Sequence, residues 1–146
     1  MEIKKIVAPV DFNSVTGKLV DYAVYVAERL EAEINFCHVI EPISMGDMML
    51  GSPSLQEFEQ KKKAHSEERM ANIVSDNKSK CPKIFGKILN GDVVDEIVGY
   101  AKEEGADLII IGTHGAKGLE KILLGRVAER VMQNAHCPCL VMNPFK

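Results

Sequence analysis

Leu108, Ile109, Ile110 and Ile111 follow one another without interruption, so a strand through them is apolar on both of its pleated faces. Such a strand needs cover on each side, which places it at the centre of a parallel sheet with helices packed on both faces. The rest of the chain has the alternation that builds this arrangement. Short apolar runs at residues 3–9, 34–40, 83–89, 107–111 and Cys139–Met142 read as strands, and stretches of helical periodicity separate them. The expected architecture is α/β and doubly wound, in one domain spanning residues 1–146.

The helices carry their own punctuation. After the first strand, Asn13 or Ser14 is placed to cap a helix whose apolar stripe is Val15, Leu19, Tyr22, Ala23, Val26, Ala27 and Leu30. Residues 41–53 have no period and read as a loop. Ser54 and Glu57 have the spacing of a capping box, opening a polar helix to about Asn77 with a thin apolar stripe, hence mostly exposed. The third strand is weakened by Gly86. Asp92 caps a helix bearing Val93, Val94, Ile97, Val98 and Ala101, and Gly105 stops it. A last helical pattern takes in Leu119, Ile122 and Leu123, then Val127, Ala128, Val131 and Met132.

At 146 residues one core suffices, and the formal net charge of -3 argues against a broad basic surface for nucleic acid. Residues 1–11 do not make a signal peptide, and no run approaches the roughly 18 apolar residues that span a bilayer, so a cytoplasmic protein is expected. Cys37, Cys81, Cys137 and Cys139 are too few for a disulfide scaffold and read as reduced thiols.

The segment with most chemical content follows the central strand. Residues 112–126 hold Gly112, Gly115, Gly118 and Gly125, and set Lys117, Lys121 and Arg126 against the single carboxylate Glu120. In an open α/β sheet, ligands sit beyond the carboxyl ends of the strands where the winding reverses. Glycines admit an anion close to the backbone, and the N–H groups opening the helix near Gly125 point at it. The alternative is a tight strand-to-helix connection with no ligand. Neither G-x4-G-K-[ST] nor G-x-G-x-x-G is present, so motif spacing alone reaches an anion site and no further.

The spacing G-x2-G-x9-G at Gly112, Gly115 and Gly125, the opening I-V-A-P-V-D, the strand end His38-Val39-Ile40, Gly91-Asp92 and the run Val127-Ala-Glu-Arg130 together resemble the universal stress protein family, over residues 3–141. The resemblance implies a Rossmann-like, adenine nucleotide alpha hydrolase-like fold, with a five-stranded parallel sheet of order 3-2-1-4-5. It also implies an adenine nucleotide: ATP, or else ADP or AMP, with or without Mg. The matching positions put adenine by Pro9, Val10 and Val39, the ribose by Asp11, and the phosphates by Gly112, Gly115, Gly125, Arg126 and Val127. One position departs from the family's pattern. Where members that bind nucleotide carry serine or threonine after the last glycine, this chain has Arg126, which either contacts phosphate itself or turns to solvent.

Other candidates are weaker. His136-Cys137-Pro138-Cys139 contains metal-ligand types, but His38, His65 and His114 fall in unrelated segments, and small buried cysteines entering a strand are the simpler account. His114 reads as a turn residue or a phosphate contact. The run at residues 61–63, three lysines, is too short to imply nucleic acid. No G-x-S-x-G elbow occurs.

The function expected is a nucleotide-binding stress-response module acting on an unidentified regulatory partner. The alternatives are slow ATP hydrolysis or phosphotransfer, and a scaffold that has lost its nucleotide. A homodimer is expected through Cys139–Met142, an uncharged edge strand in the implied order.

Overall fold

The computed structural model describes residues 1–42, 53–113 and 124–145. Five strands form one parallel sheet: β1 (Lys5–Pro9), β2 (Glu33–Ile40), β3 (Ile84–Asn90), β4 (Leu108–Gly112) and β5 (Cys139–Met142). Their order is β3-β2-β1-β4-β5, the order that the resemblance implies. Between them run α1 (Thr16–Leu30), α2 (Pro53–Asn77), α3 (Val93–Glu104) and α4 (Arg126–Asn134).

The run of four apolar residues divides the molecule as its pattern requires. Leu108 and Ile110 enter a core shared with Ile6, Ala8, Ile34, Phe36 and the α1 residues Leu19, Val20, Ala23, Val24 and Ala27. Ile109 and Ile111 enter the opposite core with Val7, Cys37, the α3 residues Val94, Ile97, Tyr100 and Ala101, and the α4 residues Ala128 and Val131. The period of two along β4 and the helical stripes thus specify the same two layers. At the amino ends of the strands, Asp107 Oδ2 accepts from the N–H groups of Lys4 at 3.0 Å and Lys5 at 3.1 Å, tying the start of β1 to the start of β4. Lys5 Nζ lies 3.7 Å from both Glu33 and Glu104.

The ends of α3 follow the sequence closely. The Asp92 carboxylate accepts from Asp95 N–H at 3.0 Å, and Gly105 closes the helix in the left-handed region at φ 67°. The start of α1 differs from expectation. Its cap position is Val15, which offers no side-chain acceptor. Asn13 sits further out, where its Oδ1 accepts from Val15 N–H and from Thr16 Oγ1, each at 3.1 Å. Phe12, at φ 58°, turns the chain just before it, and this turn moves the capping side chain outside the helix. Helix α2 begins at Pro53, so Ser54 is its second residue rather than its cap.

Helix α2 is mostly exposed, as its thin stripe predicts, and among residues 55–77 only Ser66, Met70 and Asn77 are buried. What attaches it to the sheet is the glycine that weakens β3. A Cβ built on Gly86 would run into Met70 Cγ and Sδ and come within 3.1 Å of Val74 Cγ2. The missing side chain lets α2 settle onto the strand. Gly86→Val should therefore lift α2, lowering stability by about 1–3 kcal/mol through overpacking. Urea denaturation and amide exchange along α2 measure it, and unchanged stability with unchanged exchange would contradict the packing argument.

Candidate functional site

Strand β1 lies between β2 and β4, so the winding reverses across it, and the crevice beyond its carboxyl end is the switch point of the sheet. Pro9 ends β1 and pairs with Cys37. The Val10 N–H adds one more bond, to Cys37 O at 2.8 Å, after which Asp11 leaves the sheet. On the other side of the crevice Gly112 ends β4, paired with Met142. The Thr113 N–H donates to Met142 O at 2.8 Å, and the Gly125 N–H donates to Thr113 O. This last bond fastens the start of α4 to the end of β4.

Gly125 is the cap residue of α4, with φ -69°, ψ 156° and no capping side chain. The first intrahelical bond runs from Glu129 N–H to Gly125 O at 3.0 Å. Helix geometry then leaves the N–H groups of Arg126, Val127 and Ala128 without an acceptor inside the helix, and the positive end of its dipole lies there. Gly125 and Val127 are half-buried, and Arg126 is exposed. Gly112, Gly125, Arg126 and Val127 thus gather at one mouth of the crevice. Gly115, with His114, Lys117, Gly118 and Lys121, lies outside the described residues.

Val39 is half-buried near the end of β2 and packs against the α3-side core. The β1–β2 pairing stops at Pro9 and Cys37, one further bond joins Val10 to Cys37, and Asp11 follows it outside the register that reaches toward Val39. Solvent reaches Asp11. Crowding around its carboxyl raises its pKa, His38 opposes that shift, and the negative charge of Glu41 adds to it. Beneath them the Cys37 thiol is pushed up to about 12, first by burial and then by the charge of Asp11, so it stays protonated and inert.

Three side chains beside Asp11 were not marked as site residues by the sequence pattern. His38 Nδ1 is 2.7 Å from Val10 O. The Phe12 and His38 rings are 4.4 Å apart at 40°, and the Arg69 guanidinium lies 4.9 Å over the Phe12 ring. Arg69 comes from α2, far along the chain, and no local spacing announces it. A cleft of about 350 Å³ opens next to this group, lined by Ile40, Glu41, Phe58, Lys62, Asn90 and Gly91 among others. It flanks the switch point on the β3 side and does not lie over Gly112 and Gly125.

The described residues contain no group of three or more His, Cys, Asp and Glu side chains arranged to hold a metal. Cys139 Sγ donates weakly to Cys137 O at 3.8 Å, and burial raises the pKa of both thiols. No described helix is long and apolar enough to cross a membrane.

Known proteins share this fold. A universal stress protein of Methanocaldococcus jannaschii is 36% identical over 143 residues, covering 98% of this chain and 84% of its own. The solved structure of the universal stress protein UspA from Lactobacillus plantarum superposes with a TM-score of 0.85 at 22% identity, covering 98% of this chain and 99% of its own. Two further neighbours were solved with nucleotides. One is a universal stress protein in complex with cAMP, with a TM-score of 0.73 at 19% identity, covering 99% of each chain. The other, from Archaeoglobus fulgidus, is in complex with dAMP, with a TM-score of 0.65 at 19% identity over 97% of this chain and 98% of its own. The sequence model of the Universal stress protein family matches residues 2–143. The chain belongs to the universal stress protein family.

Proposed function

We propose that the protein binds an adenine nucleotide, with ATP the first candidate, and works as a stress-response regulatory module. The observation that carries this reading is the uncapped start of α4, tied by Gly125 to Thr113 at the switch point of the sheet. Three N–H groups without an acceptor inside the helix, together with the positive end of its dipole, suit phosphate. The cAMP and dAMP complexes of the two structural neighbours support the nucleotide class. Adenine then lies against Val10 and Val39 beyond Pro9, Asp11 accepts from a ribose hydroxyl, and the phosphates meet Gly112, Gly115, Gly125, Arg126 and Val127. Mg, if it accompanies the nucleotide, is held through the phosphates.

Calorimetric titration with ATP tests the site. Gly125→Val puts a branched side chain at the phosphate position and should abolish binding. Asp11→Ala removes one charged hydrogen bond and should cost about 1–3 kcal/mol of binding free energy. Wild-type affinity in both variants would remove the site assignment.

Arg126 is exposed at the first position of α4, from where its guanidinium can swing onto a phosphate. On this reading Arg126→Ser weakens ATP binding at low salt, and the loss shrinks as salt is added, because an exposed charge is screened. Binding that is equal or tighter at low salt would mean that the arginine points away.

The protein is also proposed to form a homodimer through β5. That strand is the outer edge beyond β4, uncharged over Cys139–Met142, with all four residues half-buried. A two-fold axis through it satisfies the open backbone edge and closes the assembly. Val141→Lys sets like charges across that axis and should split the dimer. Sedimentation velocity reads the result directly, and a wild-type monomer at micromolar concentration would refute the interface.

A further inference from the structure

Where β1 leaves the sheet, Phe12 adopts φ 58°, a left-handed conformation that an aromatic residue rarely takes. Such a conformation persists only when its surroundings hold it, and here the contacts that hold it can be named. Val10 is tied to β2 through both of its backbone groups. Its N–H donates to Cys37 O at 2.8 Å, and its carbonyl lies 2.7 Å from His38 Nδ1. A carbonyl oxygen can only accept, so Nδ1 carries the proton in that contact. The same imidazole backs the Phe12 ring at 4.4 Å, and Arg69 covers that ring at 4.9 Å. Asp11 lies between the two residues so fixed.

We propose that His38 is a positioning residue of the nucleotide site: by donating from Nδ1 to the Val10 carbonyl and supporting the Phe12 ring, it sets the turn that presents Asp11. The part played by Asp11 rests on the nucleotide reading above, whereas the turn and its support do not. His38 acts through Val10 and Phe12 and need not touch the ligand. Arg69 completes the support from α2, so the turn is clamped between a strand and a helix distant in sequence. The cation lies over the ring and the ring against the imidazole, so the aromatic side chain is held from both sides.

Two substitutions separate the hydrogen bond from the ring. His38→Asn keeps an N–H donor close to the place of Nδ1, and His38→Phe keeps a ring against Phe12 but has no donor. For His38→Phe the ATP Kd should rise about tenfold, the scale of one lost hydrogen bond to an ordered carbonyl. Amide exchange at residues 11–13 should quicken in the same variant, with the melting temperature near that of the wild type. His38→Asn should stay within about threefold of wild type, because the donor is restored. Nitrogen-15 NMR of the wild type at mildly alkaline pH, where imidazole is neutral, should show the Nδ1–H tautomer of His38.

An Nε2–H tautomer would overturn the proposal, as would a His38→Phe variant with wild-type affinity and wild-type exchange at residues 11–13. If His38→Phe fails to fold, the wild-type tautomer and the Asn variant still decide the matter. If the wild-type protein binds no ATP, the nucleotide reading fails, while the tautomer and the exchange rates continue to judge the role of His38 in the turn.

Discussion

The burial of β4 on both faces is the constraint from which the remaining structure follows. Each of its four apolar residues has to find cover, alternately on one side and the other, and the two cores of the molecule are the result. Helices on both faces require parallel strands joined by crossovers, and crossovers in a sheet of five strands require the winding to reverse somewhere. The reversal falls across β1. A crevice at the carboxyl ends of β1 and β4 is therefore a consequence of packing, present before any residue is selected for a ligand.

Polar fastening is divided between the two ends of the sheet. At the amino ends, carboxylates do the tying: Asp107 holds the first residues of β1, and Glu33 and Glu104 flank Lys5. At the carboxyl ends the bonds come from backbone groups through Thr113, Gly125 and Val10, from the imidazole of His38, and from the side chains of Asn13 and Asp92 ahead of α1 and α3. Asp11 stands there too, with its carboxyl partly desolvated and the charge of Glu41 near it. The amino end is tied by charge, and the carboxyl end carries Asp11 and the start of α4, a division that suits one end for stability and the other for binding.

Much of this could be read from the sequence because several local signals agreed. The burial of β4 on both faces, the two caps of α3 and the exposure of α2 each rest on a pattern contained within a single element, although β4 lies between β1 and the edge strand β5 and the middle of the sheet is β1. The start of α1 was less legible. Asn13 and Ser14 both have capping chemistry, and the choice was made by a left-handed turn at Phe12, which no periodicity announces. Gly86 was legible as a weak point in a strand but not as the docking place of Met70, since that contact joins elements far apart in sequence. The same holds for Arg69 over Phe12. Of the phosphate-side candidates, Gly112, Gly125, Arg126 and Val127 converge at the crevice mouth, and Gly115 falls outside the described residues. The residues around Asp11 show what a spacing motif omits, namely the side chains that shape a turn without carrying a motif of their own.

The attachment of α2 has a mechanical consequence. The helix is fixed to the body of the protein at Arg69 and Met70 and along the stretch that follows, whereas residues 56–65 are all exposed. Phe58 and Lys62 nevertheless form one wall of the cleft beside β2 and β3. From the buried Ser66 back to Phe58 the helix rises about 12 Å, so it is a beam held near its middle with an exposed arm over the opening. A rotation of about five degrees at Ser66 moves the wall by about an ångström, and the residues of the arm that move are all exposed. The aperture of the cleft and the rigidity of the core are in this way separate properties, set by different residues of one helix.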